Sequence, residues 1–282
     1  MTRHSIIHLT QYLSLFLLVV ITASCLNAPS RPIGVPEGFT VTAHSGAYQT
    51  PDNSLEYINA ALEHQADVIE FDVRLRPDGT LAMSHDAIKS NEDGVPIRDV
   101  LMMIKGSSSH INLDIKQTEA LKSLSALVRE TGMLPQVFLT GIEPGGVETV
   151  KRDFPEVGYF INCSPSTTRI QEKAYQDSLI TSLSSLGGVG VNCNFNYASS
   201  TLASLLHENG FLLSVWTVND KADMERMLLL KPDNITSRNP LELISLINQQ
   251  SREPSRSKLT RRHRRHSATM GCTRKASISG AQ

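Results

Sequence analysis

Residues 41–86 read VTAHSGAYQTPDNSLEYINAALEHQADVIEFDVRLRPDGTLAMSHD, and this stretch contains the pattern from which the fold is predicted. A short apolar run before His44 predicts a strand, and residues 54–64 have the apolar spacing of an amphipathic helix. Residues 67–74 predict a second strand, because they are rich in β-branched and aromatic side chains. Strand, helix and strand in this order are typical of α/β proteins.

Two acidic residues, Glu70 and Asp72, lie inside the second predicted strand. Side chains two residues apart on a strand point to the same face, so these carboxylates are expected side by side. The two carboxylates repel each other unless a cation lies between them. Because both offer only oxygen ligands, Mg²⁺ or Ca²⁺ would suit the pair. The same spacing also occurs on the solvated face of a half-exposed strand. Apolar neighbours, and the histidines His44 and His85 at the ends of adjacent runs, favour a site.

The rest of the chain continues this alternation of predicted strands and helices, in about eight units. A turn at residues 76–79 and a short strand at residues 80–84 are predicted first, and later elements include strands at residues 158–162 and 190–194 and helices at residues 200–208 and 221–230. Its 282 residues, 40% of them hydrophobic, indicate one ordinary soluble domain with tails, assigned to residues 38–250. The unit count predicts an α/β fold of the (β/α)₈ TIM barrel type, although alternation alone also permits a doubly wound sheet. Polar residues at the ends of predicted strands favour the barrel, since barrel active sites form there. These residues are His44, Glu70, Asp72, Asp114, Lys116, Asn194, Trp216 and Asn219.

Several motifs in the chain resemble those of the glycerophosphodiester phosphodiesterase family, whose opening signature is A-H-R-G, P-E-N-T, E-x-D-V and x-H-D. The corresponding residues here are Ala43–Gly46, Pro51–Ser54, Glu70–Val73 and Ser84–Asp86. The similarity continues through residues 112–116 and 215–219, fades at residues 232–236, and covers most of residues 40–245. Four motifs in this order are specific, whereas a lone E-x-D is not.

The resemblance implies a phosphoric diester hydrolase that cleaves a small phosphodiester. Glu70, Asp72 and Asp114 would then hold one divalent cation, Mg²⁺ or Ca²⁺. Histidine is the side chain suited to proton transfer near neutral pH, so one of His44 and His85 can act as base and the other as acid. The remaining predicted site residues are Lys116 as a catalytic cation, and Ser45, Trp216 and Asn194 as substrate contacts. Lys116 is also consistent with a buried ion pair, and Trp216 with a core position.

Four departures from the family pattern bear on the substrate more than on the reaction. Ser45 stands where the family has an arginine, and Asp52 replaces a glutamate. Asp114 also replaces a glutamate, as in the related sphingomyelinase D enzymes, and the insertion after x-H-D is nearly absent. We therefore expect glycerophosphodiesters or a related lipid-headgroup phosphodiester as substrate. The alternatives are a catalytically weakened, exported barrel that binds phosphate or lipid headgroups, and a phospholipase D-like lyase that forms a cyclic phosphate.

The N-terminal residues 1–27 have the features of a secretion signal. A basic start is followed by the apolar run of residues 12–23, which is short for a membrane span and is followed by small residues. A buried helix is the alternative. The sequence before Cys25 is also similar to a lipoprotein cleavage box. Export is therefore predicted, to the periplasm, to the medium or to a lipid-anchored state.

The C-terminal residues 251–282 form a basic segment predicted to be disordered. They contain nine Lys or Arg and one acidic residue, a net charge of +8, so that residues 1–250 carry −9 of the overall −1. Such a segment binds an anionic membrane surface or is a solvated extension. The acidic body and the lack of a recognisable binding module argue against a specific nucleic-acid partner.

The four cysteines give no metal or redox motif, because no C-x-x-C spacing occurs. Cys25 belongs to the signal region and Cys272 to the basic segment. Cys163 and Cys193 can pair in an oxidising compartment, or stay apart on the separate strands predicted for them.

Overall fold

The computed structural model describes residues 35–252, with side chains described as far as residue 249, and its centre is a closed barrel of parallel strands. The barrel strands are β1 (Thr40–Ala43), β2 (Val68–Leu75), β5 (His110–Ile115), β6 (Val137–Ile142), β7 (Gly158–Asn162), β8 (Gly190–Asn194), β9 (Leu212–Trp216) and β10 (Asn234–Ser237). The first strand pairs in parallel with both β10 and β2, which closes the sheet. This closure confirms the TIM barrel and excludes the doubly wound sheet.

The helices surround the barrel. They are α1 (Leu55–Glu63), α2 (Ile97–Ile104), α3 (Leu121–Thr131), α4 (Val147–Asp153), α5 (Lys173–Leu186), α6 (Ser200–Glu208), α7 (Lys221–Leu230) and α8 (Pro240–Arg252). Serine side chains cap two of them: Ser54 accepts from Tyr57 N at 3.1 Å, and Ser199 accepts from Leu202 N at 3.1 Å. At the end of α3, Gly132 has the left-handed conformation (φ 71°) typical of a C-terminal cap.

One predicted strand lies outside the barrel. Residues 80–84 form β3 (Leu81–Met83), which runs antiparallel to β2 and pairs with the two-residue β4 (Val95–Pro96). The chain reverses because Asp78 Oδ1 accepts from Thr80 N at 2.9 Å and Gly79 has φ 84°. This hairpin returns the chain along β2 and places His85 just after β3.

The hydrophobic core fills the barrel and the layer between barrel and helices. The largest fully buried side chains include Tyr57, Phe71 and Phe154. Branched aliphatic residues from the strands pack against the apolar faces of the helices, as expected for strands that are covered on both sides. The core therefore holds the ends of the parallel strands in a fixed ring, which is where the polar residues of the site lie.

Several predictions concern residues that the structure describes only in part. The predicted signal at residues 1–27 and the basic segment from residue 253 onward lie outside the described residues. The first two residues of the predicted tail belong to helix α8. Among residues 35–252, no helix combines the length and apolar character that a membrane span requires. Within this range Cys163 and Cys193 are free thiols, and no disulfide joins β8 to the residue that follows β7.

Candidate active site

A cavity of about 970 Å³ opens at the carboxyl ends of the barrel strands. Its lining includes residues from most of the barrel strands and from the loops that follow them. Seven of the predicted site residues line it: His44, Glu70, Asp72, His85, Asp114, Lys116 and Trp216. A site at this end of the barrel, built from several strands, agrees with the general rule for TIM barrels.

The acidic residues meet because of the strand register. Asp72 on β2 lies directly opposite Asp114 on β5, and Glu70 lies two residues earlier on the same face. Carboxylate oxygens of the three residues lie within 4.8 Å of one another. Glu70 and Asp72 are each only 4% exposed, so the alternative of a solvated strand face is wrong.

Two loop residues hold these carboxylates in place. The backbone N of Ser45 donates to Glu70 Oε2 at 2.8 Å. Asn53 Nδ2 donates to Asp72 Oδ2 at 2.7 Å, while Asn53 Oδ1 accepts from the backbone N of Asp72 at 3.0 Å. Asn53 N in turn donates to Ser45 Oγ at 2.7 Å. The loop after β1 therefore fixes the orientation of both β2 acids.

Lys116 lies between Asp72 and Asp114 and forms an ion pair with each. Its Nζ lies 2.8 Å from Asp72 Oδ1 and 2.6 Å from Asp114 Oδ2. Burial alone would lower the pKa of Lys116, but the charges of Asp114 and Asp72 outweigh it and raise that pKa above its usual value. Lys116 is therefore a permanent cation that both lines the cavity and forms the ion pair considered as its alternative role.

The carboxylates differ in their electrostatic surroundings. Burial, reinforced by the charges of Asp72 and Asp114, raises the pKa of Glu70 well above its ordinary value. Burial would also raise the pKa of Asp72, but the charge and hydrogen bond of Lys116, with the hydrogen bond from Asn53, lower it. Glu70 is thus the acid whose negative charge is least compensated by the surrounding protein.

Both predicted catalytic histidines line the same cavity. His44 follows β1, its side chain is 24% exposed, and its Nδ1 lies 2.8 Å from the carbonyl oxygen of Ser45. Burial lowers the pKa of His44, and the charge of Arg238 lowers it further, against the raising effect of that carbonyl. His85 follows β3, is 70% exposed, and has Nδ1 3.0 Å from Asp86 Oδ1.

The acidic group is suited to a divalent cation. Its donors are all carboxylate oxygens, the ligands that Mg²⁺ and Ca²⁺ prefer. Among the described residues, no lysine or arginine forms an ion pair with the buried Glu70, and a buried carboxylate without a compensating charge is costly. A cation held by Glu70, Asp72 and Asp114 would remove that cost.

Comparison with known proteins agrees with this arrangement. The model of the glycerophosphoryl diester phosphodiesterase family matches residues 44–128, which include both histidines and all three acids. A glycerophosphodiester phosphodiesterase of Caldanaerobacter subterraneus subsp. tengcongensis is 25% identical over 251 residues, covering 74% of this chain and 98% of the relative. By these two matches the chain is similar to glycerophosphodiester phosphodiesterases, and it is called GDPD-like below.

Solved structures show the same fold as the GDPD-like chain. A glycerophosphodiester phosphodiesterase from Parabacteroides distasonis superposes with a TM-score of 0.65 at 18% identity, over 76% of this chain and 99% of that one. An Oleispira antarctica phosphodiesterase, solved with its product sn-glycerol-3-phosphate, gives a TM-score of 0.62 at 19% identity, over 76% and 97% of the chains. At these identities the likeness establishes the fold alone.

The three predicted substrate contacts of the GDPD-like chain have different positions. Trp216, at the end of β9, lines the cavity and is 37% exposed, so it is not a core residue. Ser45 is only 1% exposed, and its hydroxyl is occupied by Asn53 N, so its side chain is not among those lining the cavity. Asn194 is also outside the cavity lining, because its Oδ1 turns to accept from Asn196 N at 3.0 Å. Asn192 lines the cavity instead.

Two residues with clear contacts in the site were not predicted to have a role. Asn53 lies in one of the motifs quoted above, and its place in that motif was the signal that could have identified it. Arg238, just after β10, lines the cavity with its Nη2 2.8 Å from Asp52 Oδ2 and its Nε 3.3 Å from His44 Nδ1. No sequence pattern marked Arg238, since its neighbours in space are distant in the chain.

Proposed function

We propose that this chain is a metal-dependent phosphodiesterase that cleaves glycerophosphodiesters or a related lipid-headgroup phosphodiester. The observation that supports the proposal is the convergence of Glu70, Asp72 and Asp114 within 4.8 Å, in a cavity that His44 and His85 also line. The related proteins are named for this activity, and one of them was solved with sn-glycerol-3-phosphate as product.

In this proposal His44 acts as the base. A carbonyl oxygen only accepts hydrogen bonds, so the contact with Ser45 O places the proton of His44 on Nδ1 and leaves the lone pair on Nε2. The lowered pKa of His44 keeps the ring neutral near pH 7, as a base requires. The proton that it accepts comes from water or from a neighbouring hydroxyl of the substrate.

His85 acts as the acid in the same proposal. Asp86 Oδ1 accepts from His85 Nδ1 at 3.0 Å, so Nε2 is the nitrogen free to donate a proton to the departing alcohol. Lys116 donates to Asp72 and Asp114, and the third N–H of its ammonium group is available for a phosphate oxygen. Trp216 offers an apolar surface for the alcohol that leaves.

Glu70, Asp72 and Asp114 would hold one Mg²⁺ or Ca²⁺ ion, whose role is to neutralise charge on the phosphoryl oxygens. Because Lys116 already lies against Asp72 and Asp114, the cation has to share these carboxylates with an ammonium group. We also propose, from residues 1–27, that the protein is exported, and, from the basic C-terminal segment, that an anionic membrane surface is a partner.

Release of sn-glycerol-3-phosphate from glycerophosphocholine and glycerophosphoethanolamine tests the proposed function. His44→Ala and His85→Ala should each lower kcat about 10²- to 10⁴-fold, the usual contribution of a general acid or base. His110→Ala is the control, because His110 is exposed at the start of β5 and absent from the cavity lining. Full activity in both histidine variants would contradict the mechanism.

The same assay separates the alternatives. A barrel that only binds phosphate or lipid headgroups would show ligand binding without turnover in the wild-type protein. A lyase would instead give a cyclic phosphate, which ³¹P NMR distinguishes from the phosphomonoester formed by hydrolysis. Localisation of the full-length protein after cell fractionation tests export independently of activity.

A further inference from the structure

The cavity contains few cations able to receive a phosphate group. Besides the three acids of the proposed metal site, Glu119 and Glu143 also line it. Lys116 and Arg238 are the lysine and arginine side chains in this lining, and Lys116 is bound to Asp72 and Asp114. Arg238 is therefore the one of these two cations that the acidic cluster does not hold.

Arg238 is held at the cavity wall by contacts with two loops, those that follow β1 and β9. Its backbone N donates to Asn219 Oδ1 at 2.9 Å, and its Nη2 donates to Asp52 Oδ2 at 2.8 Å. The preceding residue, Ser237, accepts from His44 N at 2.9 Å through its carbonyl oxygen. The guanidinium group is thus fixed next to His44, on the wall of the cavity that also holds the acidic cluster.

The contact between Arg238 and His44 leaves the guanidinium group available to bind an anion. Arg238 Nε lies 3.3 Å from His44 Nδ1, but that nitrogen lies closer, at 2.8 Å, to the carbonyl oxygen of Ser45. Because a carbonyl only accepts, the Nδ1 proton points to Ser45, and Nδ1 has no lone pair for Arg238. A guanidinium has five N–H donors, so most of those of Arg238 are free for an anion.

Asp52 positions the arginine without neutralising it permanently. The Asp52 and Arg238 side chains are 48% and 43% exposed, and exposed ion pairs of this kind are weak. Asp52 also packs closely under Gly46, where an added Cβ would lie 1.9 Å from Asp52 Oδ1. The carboxylate is therefore placed by close packing, while a phosphate group can compete for the guanidinium.

We infer that Arg238 is the guanidinium that binds the phosphate group of the substrate, and that Asp52 holds it in place in the free protein. Guanidinium binds phosphate through paired, charge-assisted hydrogen bonds, which lysine cannot reproduce. The inference rests on the proposed function for the identity of the substrate. The binding of phosphate itself can be measured without turnover.

Calorimetric titration of the full chain with inorganic phosphate and with sn-glycerol-3-phosphate tests this inference. Arg238→Gln should weaken both affinities about 10- to 100-fold, and Arg238→Lys should recover only part of the loss. Arg226→Gln is the matched control, because Arg226 has the same 43% exposure and also pairs with an aspartate, Asp223, but lies outside the cavity lining. It should leave both affinities unchanged.

Asp52→Asn distinguishes phosphate binding from a purely structural ion pair. If Arg238 only pairs with Asp52, the two variants have the same effect; if Arg238 binds phosphate, Asp52→Asn binds phosphate at least as tightly as the wild type. Equal weakening in both variants, unchanged binding in Arg238→Gln, or no phosphate binding in the wild type would overturn the inference. Arg238-dependent phosphate binding without phosphodiester turnover would support the inference and overturn the proposed function.

Discussion

Asn53 binds Asp72 through both ends of its side-chain amide: Nδ2 donates to Asp72 Oδ2 at 2.7 Å, and Oδ1 accepts from Asp72 N at 3.0 Å. Asn53 also has a positive φ of 50°, which asparagine adopts more readily than most residues. One residue between β1 and α1 therefore orients an acid on β2. Asp72 belongs to the proposed metal site, and removal of a hydrogen bond that orients a metal-binding side chain typically changes metal affinity or activity about 10- to 100-fold.

Removing the Asn53 amide should weaken cation binding. Asn53→Gly keeps the backbone conformation accessible but leaves Asp72 without its two partners, so we expect Mg²⁺ or Ca²⁺ affinity to fall about 10- to 100-fold. Calorimetric titration with each ion measures the change. Asn209→Gly is a control, because Asn209 is exposed and its side chain bonds only to Leu205 O. Unchanged metal affinity in Asn53→Gly would show that Asp72 needs no such support.

Gly141 and Gly132 offer a matched test of the packing around Asp114. Both have positive φ, 74° and 71°, so alanine is strained at either position. At Gly141 a Cβ would lie 2.4 Å from Ile115 O and 2.7 Å from Asp114 Oδ1, whereas at Gly132 nothing lies within 4 Å. Gly132→Ala should cost about 1 kcal/mol and leave the activity of the folded protein intact. Gly141→Ala should also displace Asp114 and lower kcat/KM, and equal activity in the two variants would contradict this role.

The hydroxyl of Tyr57 should contribute measurably to stability. It is fully buried and lies 2.6 Å from Ala43 O, 2.9 Å from Glu70 O and 3.2 Å from Glu70 N, joining α1 to β1 and β2. Tyr57→Phe leaves these buried backbone groups without that partner, so the free energy of unfolding should fall by about 1–3 kcal/mol. Tyr197→Phe is the control, since Tyr197 is 40% exposed. Equal urea midpoints for the two variants would rule out this contribution.

Replacing Lys116 should increase the stabilisation gained from a divalent cation. Lys116→Gln removes the ammonium group between Asp72 and Asp114, so the repulsion among the acids should lower stability by up to about 3 kcal/mol without metal. Added Mg²⁺ or Ca²⁺ should therefore raise the Tm of Lys116→Gln more than that of the wild type. Lys151→Gln, at an exposed lysine paired with Glu148, should respond like the wild type. An equal Tm rise in Lys116→Gln and wild type would contradict a shared site.

The sequence predicted those features that depend on local pattern. Several elements have the predicted bounds, because hydrophobic periodicity and the turn-forming residues at their ends mark them clearly. They are the strands Gly158–Asn162 and Gly190–Asn194 and the helices Ser200–Glu208 and Lys221–Leu230. The proximity of two of the buried acids was predicted for a similar reason, since Glu70 and Asp72 share a strand face. The turn at residues 76–79 and the short strand after it were also predicted, but the local pattern did not show which strand β3 pairs with, because pairing depends on the strands that lie side by side in the fold.

The side chains that the sequence did not place correctly are those whose contacts are made across loops. Ser45 follows directly on His44, yet its hydroxyl turns to Asn53, and Asn194 turns to cap its own loop. Arg238 meets Asp52 across 186 positions of the chain, a separation that no local pattern reveals. The direction of a side chain at a strand end depends on the loop that follows, so only the folded structure determines it.

The most direct test is the rate of glycerophosphodiester hydrolysis by the purified protein before and after treatment with EDTA, with Mg²⁺ or Ca²⁺ then restored. If Glu70, Asp72 and Asp114 hold the cation that the reaction requires, EDTA should abolish the activity and one of the two ions should restore it. Asp114→Asn should need a higher metal concentration for half-maximal rate. Hydrolysis that continues unchanged in EDTA would contradict the account.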